Sequence, residues 1–203
     1  MFFIGLDLGK QRDFSAVAVV EREELRPAFR EPTGRRLHVR HLERLPLGTP
    51  YTGVVRRVSE IAGHPALRGD CRLVVDATGV GAPVVELLRS AKLPCRLTAV
   101  TITGGDQAHG RGEDWHVPKR DLLAGLQLLL EGGQLKIHKT LNATATLVRE
   151  LTDIRMHQRP GGRLGMGADG YGEHDDLALA VALACWRARR LEIGQGTQRL
   201  PGI

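Results

Sequence analysis

Four carboxylates stand where the surrounding residues are apolar. Asp7 lies in FFIGLDLG, Asp76 closes LVVD ahead of ATGVG, and the adjacent Asp175 and Asp176 open EHDDLALAVALA. An ionised group inside an apolar strand is costly unless it is paired or bound to a metal. Alternation along the first run puts Phe3, Gly5 and Asp7 on one face and Ile4, Leu6 and Leu8 on the other, so Asp7 projects over a face where Gly5 leaves room. Asp76 stands at the C-terminal end of a β-type run, the edge at which open α/β sheets bind ligands. Residues 177–186 carry no charge, so their helix must be packed on most sides, and its N-terminus can then be brought beside Asp7 and Asp76.

Carboxylates meeting in one place repel each other and shift toward protonation unless a hard divalent cation reverses that balance. Oxygen-only ligands indicate Mg²⁺ or Mn²⁺ rather than zinc. Two such ions about 3.5–4 Å apart would activate a water and stabilise the leaving oxygen of a phosphodiester. In a basic protein, a nuclease is the economical reading. Adjacent helical residues point about 100° apart, so Asp175 and Asp176 are not equivalent. Asp176 is the expected direct ligand, Asp175 a second ligand or the helix cap, and Glu173 a reserve. His174 is expected to be exposed or to support a ligand. Blander roles exist for each acid: Asp7 could cap the turn at Gly9 to Asp13, and Asp76 could stabilise its own turn.

With 203 residues, the chain is expected to form one domain over residues 1–193, followed by a flexible tail at 194–203. Twenty-nine Lys and Arg against 23 Asp and Glu leave a net charge of +6, which favours a polyanionic partner. Aromatic residues are only 4%, too few for the stacking platforms of dedicated single-strand binders. Cys71, Cys95 and Cys185 are widely spaced, with no CxxC pair to clamp zinc, so reduced thiols are expected. GVGAPV has Val84 at the third glycine position of GxGxxG, and GxxxxGK[ST] is absent, so neither dinucleotide nor P-loop binding is supported. The longest apolar run falls short of the roughly 20 residues that cross a bilayer, and a soluble, cytoplasmic protein with no membrane partner is expected.

The elements that must position these acids follow from periodicity. Strands are predicted over residues 2–8, 14–20, 36–45, 72–75, 96–102 and 134–137, and helices over 53–62, 83–90, 119–131, 141–153 and from Asp175 into the basic end at Arg187, Arg189 and Arg190. Residues 154–170, interrupted by RPGG, read as a hairpin, and TGGDQAHGRGEDWHVPKR reads as a polar, mobile loop. A hairpin start followed by alternating strands and helices gives an α/β domain with a mixed sheet covered by helices. Lys119, Arg120, Arg155, Arg159 and Arg163 are candidates for contacts to DNA phosphates.

In order and spacing, GLDLGKQRDFSAVAVVE, LVVDATGVGAPVVELL, VPKRDLLAGLQLLLEGGQL and EHDDLALAVALA resemble the nuclease domain of phage large terminase subunits. The resemblance spans roughly Phe3 to Arg189, with little from Glu21 to Gly69. It implies a ribonuclease H-like mixed β-sheet flanked by helices, and metal-dependent cutting of double-stranded DNA with little sequence preference during genome packaging. The family's acidic residues match Asp7, Asp76 and the Asp175/Asp176 pair. It also implies a host-cytoplasmic setting if the chain is viral or prophage-encoded, and as partners a separate packaging ATPase, a small terminase subunit or a portal. Large terminases carry that ATPase ahead of the nuclease, so the chain is expected to be either an isolated domain or a free-standing nuclease. Holliday-junction resolvases of the same fold share the IGLDLG-like strand and the acid before an ALA-type helix, but usually place a glutamate where this chain has Asp76. Two readings from other classes are a fragment of an actin-like ATPase or kinase, and a DNA-binding module without catalysis.

Overall fold

The computed structural model describes residues 1–9, 13–25, 34–79, 81–158, 164–167 and 174–190. Three strands come first, β1 (Phe2–Asp7), β2 (Ala16–Leu25) and β3 (Gly34–Arg44), then helix α1 (Tyr51–Ala62). Next come β4 (Cys71–Asp76), α2 (Gly81–Ser90), β5 (Arg96–Thr103), β6 (His109–Arg111) and β7 (Asp114–Pro118). The chain continues with α3 (Lys119–Glu131), β8 (Leu135–Ile137), α4 (Thr144–Asp153), β9 (Arg155–Gln158), β10 (Leu164–Gly167) and α5 (Asp176–Arg190). Among the described residues, eight strands form one mixed sheet in the order β6-β7-β5-β4-β1-β2-β3-β8, and β9 and β10 pair as a separate antiparallel hairpin. This is the mixed α/β sheet flanked by helices that periodicity predicted.

Alternation along each strand divides the core in two. Phe3, Ala18, Val20, Val74, Val100 and Val117 lie under α3, α4 and α5, whereas Ile4, Leu6, Val17, Val19, Leu73 and Val75 lie under α1 and α2. Asp7 shares the face of Phe3 and Gly5, so it points toward α5.

Helix α5 is buried all round because β1 and β2 lie beneath it while α3 and α4 flank it. Its alanines at 178, 180, 182 and 184 let it come close to the sheet. At Gly5 the approach becomes backbone on backbone: a Cβ there would stand 1.8 Å from the Ala180 carbonyl oxygen. Leu183, fully buried on this helix, is therefore expected to cost about 2–5 kcal/mol when changed to Ala, read by urea denaturation.

The basic end of α5 does more than complement the helix dipole. Arg187 reaches Thr98 Oγ1 at 3.2 Å and Glu113 at 3.4 Å, and the Arg190 guanidinium lies 4.9 Å from the rings of both Trp115 and Trp186. From β2, the Arg22 guanidinium donates to the Ala188 carbonyl at 2.9 Å, satisfying an acceptor in the last turn.

One expectation is corrected. The polar stretch after β5 is not a loop throughout, for β7 pairs in parallel with β5 and β6 pairs antiparallel with β7 at the edge of the main sheet. Only Trp115 and Val117 of β7 carry the inward pattern, with Trp115 edge-on to Trp186 at 5.6 Å, and so few apolar residues left no periodicity to read. Cys71 and Cys95, far apart in sequence, stand beside each other in space: Cys71 opens β4, Cys95 directly precedes β5, and Arg72 pairs with Arg96. All three cysteines are free. The expected tail at 194–203 lies outside the described residues, and no described helix is long and apolar enough to cross a membrane.

A candidate metal centre at the sheet edge

Strands β1 and β4 are parallel neighbours, and Leu6 pairs with Val75. The next residue of each strand, Asp7 and Asp76, therefore leaves the ladder side by side at the C-terminal edge. Asp176 starts α5 and Asp175 directly precedes it, with the Asp175 carbonyl accepting the Leu179 N–H at 2.8 Å. Because Gly5 seats α5 directly on β1, that helix start is held over the same edge.

Asp7 lies within electrostatic reach of the other three acids. Burial, then the charges of Asp76, Asp176 and Asp175, hold the Asp7 carboxyl well above the usual carboxylate range, with Lys119 acting weakly in the opposite direction. Burial also raises Asp76, against hydrogen bonding from Thr78. Asp176 is pushed up to about 6 by burial, against the nearby Arg44 guanidinium.

The blander roles are partly filled by other groups. Gly9 N–H donates to Ser15 Oγ at 3.1 Å, so a serine holds the turn after β1. Asp76 does stabilise its own turn, accepting the Thr78 N–H on Oδ1 at 2.8 Å. The start of α5 is capped from outside: Glu150 Oε2, on α4, accepts the Ala178 N–H at 2.8 Å. The Asp175 side chain turns instead to Lys119, whose Nζ lies 2.5 Å from Oδ2. Lys119, a candidate for phosphate contacts, thus faces the acidic cluster, while Arg120 lies 3.8 Å from both Asp106 and Asp121 at the surface. Glu173, Arg159 and Arg163, and the side chain of Arg155, lie outside the described residues.

Sequence reading missed Arg44 and Glu150. Arg44 ends β3, its Nη2 in a short contact with Glu150 Oε1 and 3.2 Å from Asp176 Oδ2. Burial pushes the Glu150 carboxyl up to about 7, against the Ala178 N–H and Arg44. Arg44 also stacks over the Phe14 ring at 4.7 Å, and Phe14 meets the His174 ring edge-on at 5.5 Å. His174 is half-buried with Nδ1 3.8 Å from Asp176 Oδ2.

A signal for Glu150 was present: it sits among Leu147, Leu151 and Ile154 on one helical stripe, and an acid on an apolar stripe is a buried acid. Among the described residues, no three or more His, Cys, Asp or Glu side chains close around a point that would hold a metal ion. The cations explain that arrangement, since Asp175 leans to Lys119 and Asp176 to Arg44.

No protein-family model matches the chain. Among curated proteins, the large terminase subunits of Thermus phage G20c and Thermus virus P23-45 are each 26% identical over 189 residues, which is 91% of this chain. The chain spans only 31% of the length of these relatives. Among solved structures, the large terminase nuclease of phage G20c with bound magnesium superposes with a TM-score of 0.67 at 25% identity, covering 92% of this chain and 81% of that one. The manganese-bound large terminase nuclease domain of bacteriophage SPP1, 14% identical with a TM-score of 0.55 over 92% of this chain and 85% of that one, shares the fold. By sequence and by fold together, the chain is similar to the nuclease domains of large terminase subunits.

Proposed function

We propose that the chain is a divalent-metal-dependent endonuclease that cuts double-stranded DNA with little sequence preference, with Asp7, Asp76 and Asp176 as catalytic metal ligands and Asp175 as a further ligand. The observation that supports this reading is that Asp7 and Asp76 end neighbouring parallel strands, with the Asp175/Asp176 helix start close enough for the charges of the other three acids to raise the buried Asp7 carboxyl. The donor set fits Mg²⁺ or Mn²⁺: all ligands are hard oxygens, and Asp175 Oδ2 and Asp176 Oδ2 are buried without a hydrogen bond among the described residues, although cations lie near both. The related structures with magnesium and cobalt support the same assignment.

When bound, two such ions supply an activated water and charge neutralisation at the leaving oxygen. This chain's part is orientation. Asp7 and Asp76 are fixed by paired strands, and Asp176 by a helix that cannot slide while Gly5 and Ala180 are in contact. The net charge of +6 suits a polyanionic substrate, and Lys119 and Arg120, with Arg155, Arg159 and Arg163, are proposed phosphate contacts. A packaging ATPase, a small terminase subunit and a portal are proposed partners, supported by the relatives being large terminase subunits.

Plasmid digestion tests the reading. Supercoiled DNA is expected to be nicked and linearised with Mg²⁺ or Mn²⁺ and left intact with chelator, and DNA binding is expected to weaken steeply as salt rises because phosphate contacts release counterions. Symmetric nicks confined to four-way junctions, with linear duplex spared, would replace the proposal with a resolvase.

A further inference from the structure

One guanidinium faces two buried acids beside the candidate metal centre. Arg44 meets Glu150 Oε1 and Asp176 Oδ2 through the same nitrogen, Nη2, while its buried Nε has no hydrogen-bond partner among the described residues. The fork is therefore not closed as a two-pronged clamp on Asp176. The Phe14 ring, 4.7 Å from the guanidinium carbon, lines one side of it. Glu150 is only 4% exposed, and its second oxygen accepts the Ala178 N–H at 2.8 Å.

We propose that Glu150 is a positioning residue for the carboxylate centre: it fixes the start of α5 through Ala178 and draws Arg44 away from Asp176, leaving an Asp176 oxygen available to a divalent cation. This rests on the metal-dependent reading above. The two tasks fall to different parts of one side chain. Accepting the Ala178 N–H needs only an oxygen, whereas competing for Arg44 needs a negative charge. Without that charge, Arg44 is free to pair fully with Asp176, and a cation would have to displace it. Without Arg44 the sign reverses: Asp176 and Glu150 are left as buried acids with one positive neighbour fewer, and a divalent cation relieves more repulsion on binding.

The experiment separates these tasks by measuring Mn²⁺ binding by calorimetry and metal-free melting temperature on the same folded proteins. Glu150→Gln keeps an oxygen for Ala178, so its melting temperature is expected within about 2 °C of the parent, while its Mn²⁺ dissociation constant rises about tenfold. Glu150→Ala is expected to weaken Mn²⁺ equally and to melt several degrees lower. Arg44→Gln is expected to bind Mn²⁺ more tightly than the parent. If Glu150→Gln binds Mn²⁺ as the parent does, or if Arg44→Gln weakens binding as much as Glu150→Gln does, the positioning role is overturned. A parent protein that takes up no Mn²⁺ would instead remove the metal reading itself, an outcome visible before any variant is made.

Discussion

Asp7→Asn should slow Mg²⁺- or Mn²⁺-dependent plasmid cutting by more than about a hundredfold, beyond what outer partners of a metal site usually cost, and should raise the melting temperature of the chelated protein. The two effects share one cause. Without metal, Asp7 is buried among three other acids, and its carboxyl is held well above the usual range by burial and then by Asp76, Asp176 and Asp175. A carboxylate in that position is a cost to the folded state that the unfolded chain does not bear. An amide removes the charge, keeps the shape and offers a donor to the neighbouring carboxylates. In Mn²⁺ the order reverses, because the parent gains stability from binding the ion and the variant does not. Scanning calorimetry with chelator and with Mn²⁺, beside the plasmid assay, reads all three. Cutting at the parental rate would remove Asp7 from the centre, and a lower melting point in chelator would mean that its carboxylate is held by favourable partners.

That Asp7, Asp76 and the Asp175/Asp176 pair would be drawn toward one end of the sheet was legible because each broke a strong local pattern. Asp7 interrupts an apolar strand, Asp76 ends one, and the pair opens a helix with no charge over the following ten residues. Strand alternation set the face of Asp7, and the all-round apolarity of α5 required it to lie on the sheet between α3 and α4. The cations around the acids were harder to read. Arg44 ends a strand in which arginines and histidines alternate, and nothing in GRRLHVRHLER distinguishes the arginine that turns inward. Glu150 acquires its role only when α4 docks beside the start of α5, a long-range contact that no window of sequence contains. Lys119 and Arg120 are neighbours of the same charge, yet the first faces Asp175 and the second the surface acids, because the start of α3 points their side chains in different directions. The edge strands β6 and β7 escaped for a different reason: an edge needs few inward side chains, so its composition stays polar.

Gly5→Ala is expected to be among the most damaging single-methyl additions in the molecule. A Cβ at residue 5 would lie 1.8 Å from the Ala180 carbonyl oxygen and 3.1 Å from the Ala184 nitrogen, and these are backbone atoms of a buried helix with no rotamer to change. Overpacking of a core usually costs about 1–3 kcal/mol, and here relief requires α5 as a whole to lift from β1, so about 3 kcal/mol or more is expected. In a domain of this size that is a fall of about 6–12 °C in melting temperature. Gly34→Ala is the matched control, since its Cβ would meet only a leucine methyl at 3.8 Å. The damage should reach the chemistry as well. Asp7 lies on β1 two residues beyond Gly5, and Asp176 lies on α5 four residues before Ala180, so the contact that a methyl would push apart sets the spacing between those two acids. Mn²⁺ affinity should therefore drop in Gly5→Ala measured well below its melting temperature, and stay at the parental value in Gly34→Ala. Retained Mn²⁺ affinity in a destabilised but folded Gly5→Ala protein would show that the acids are held by something other than the seating of α5 on β1.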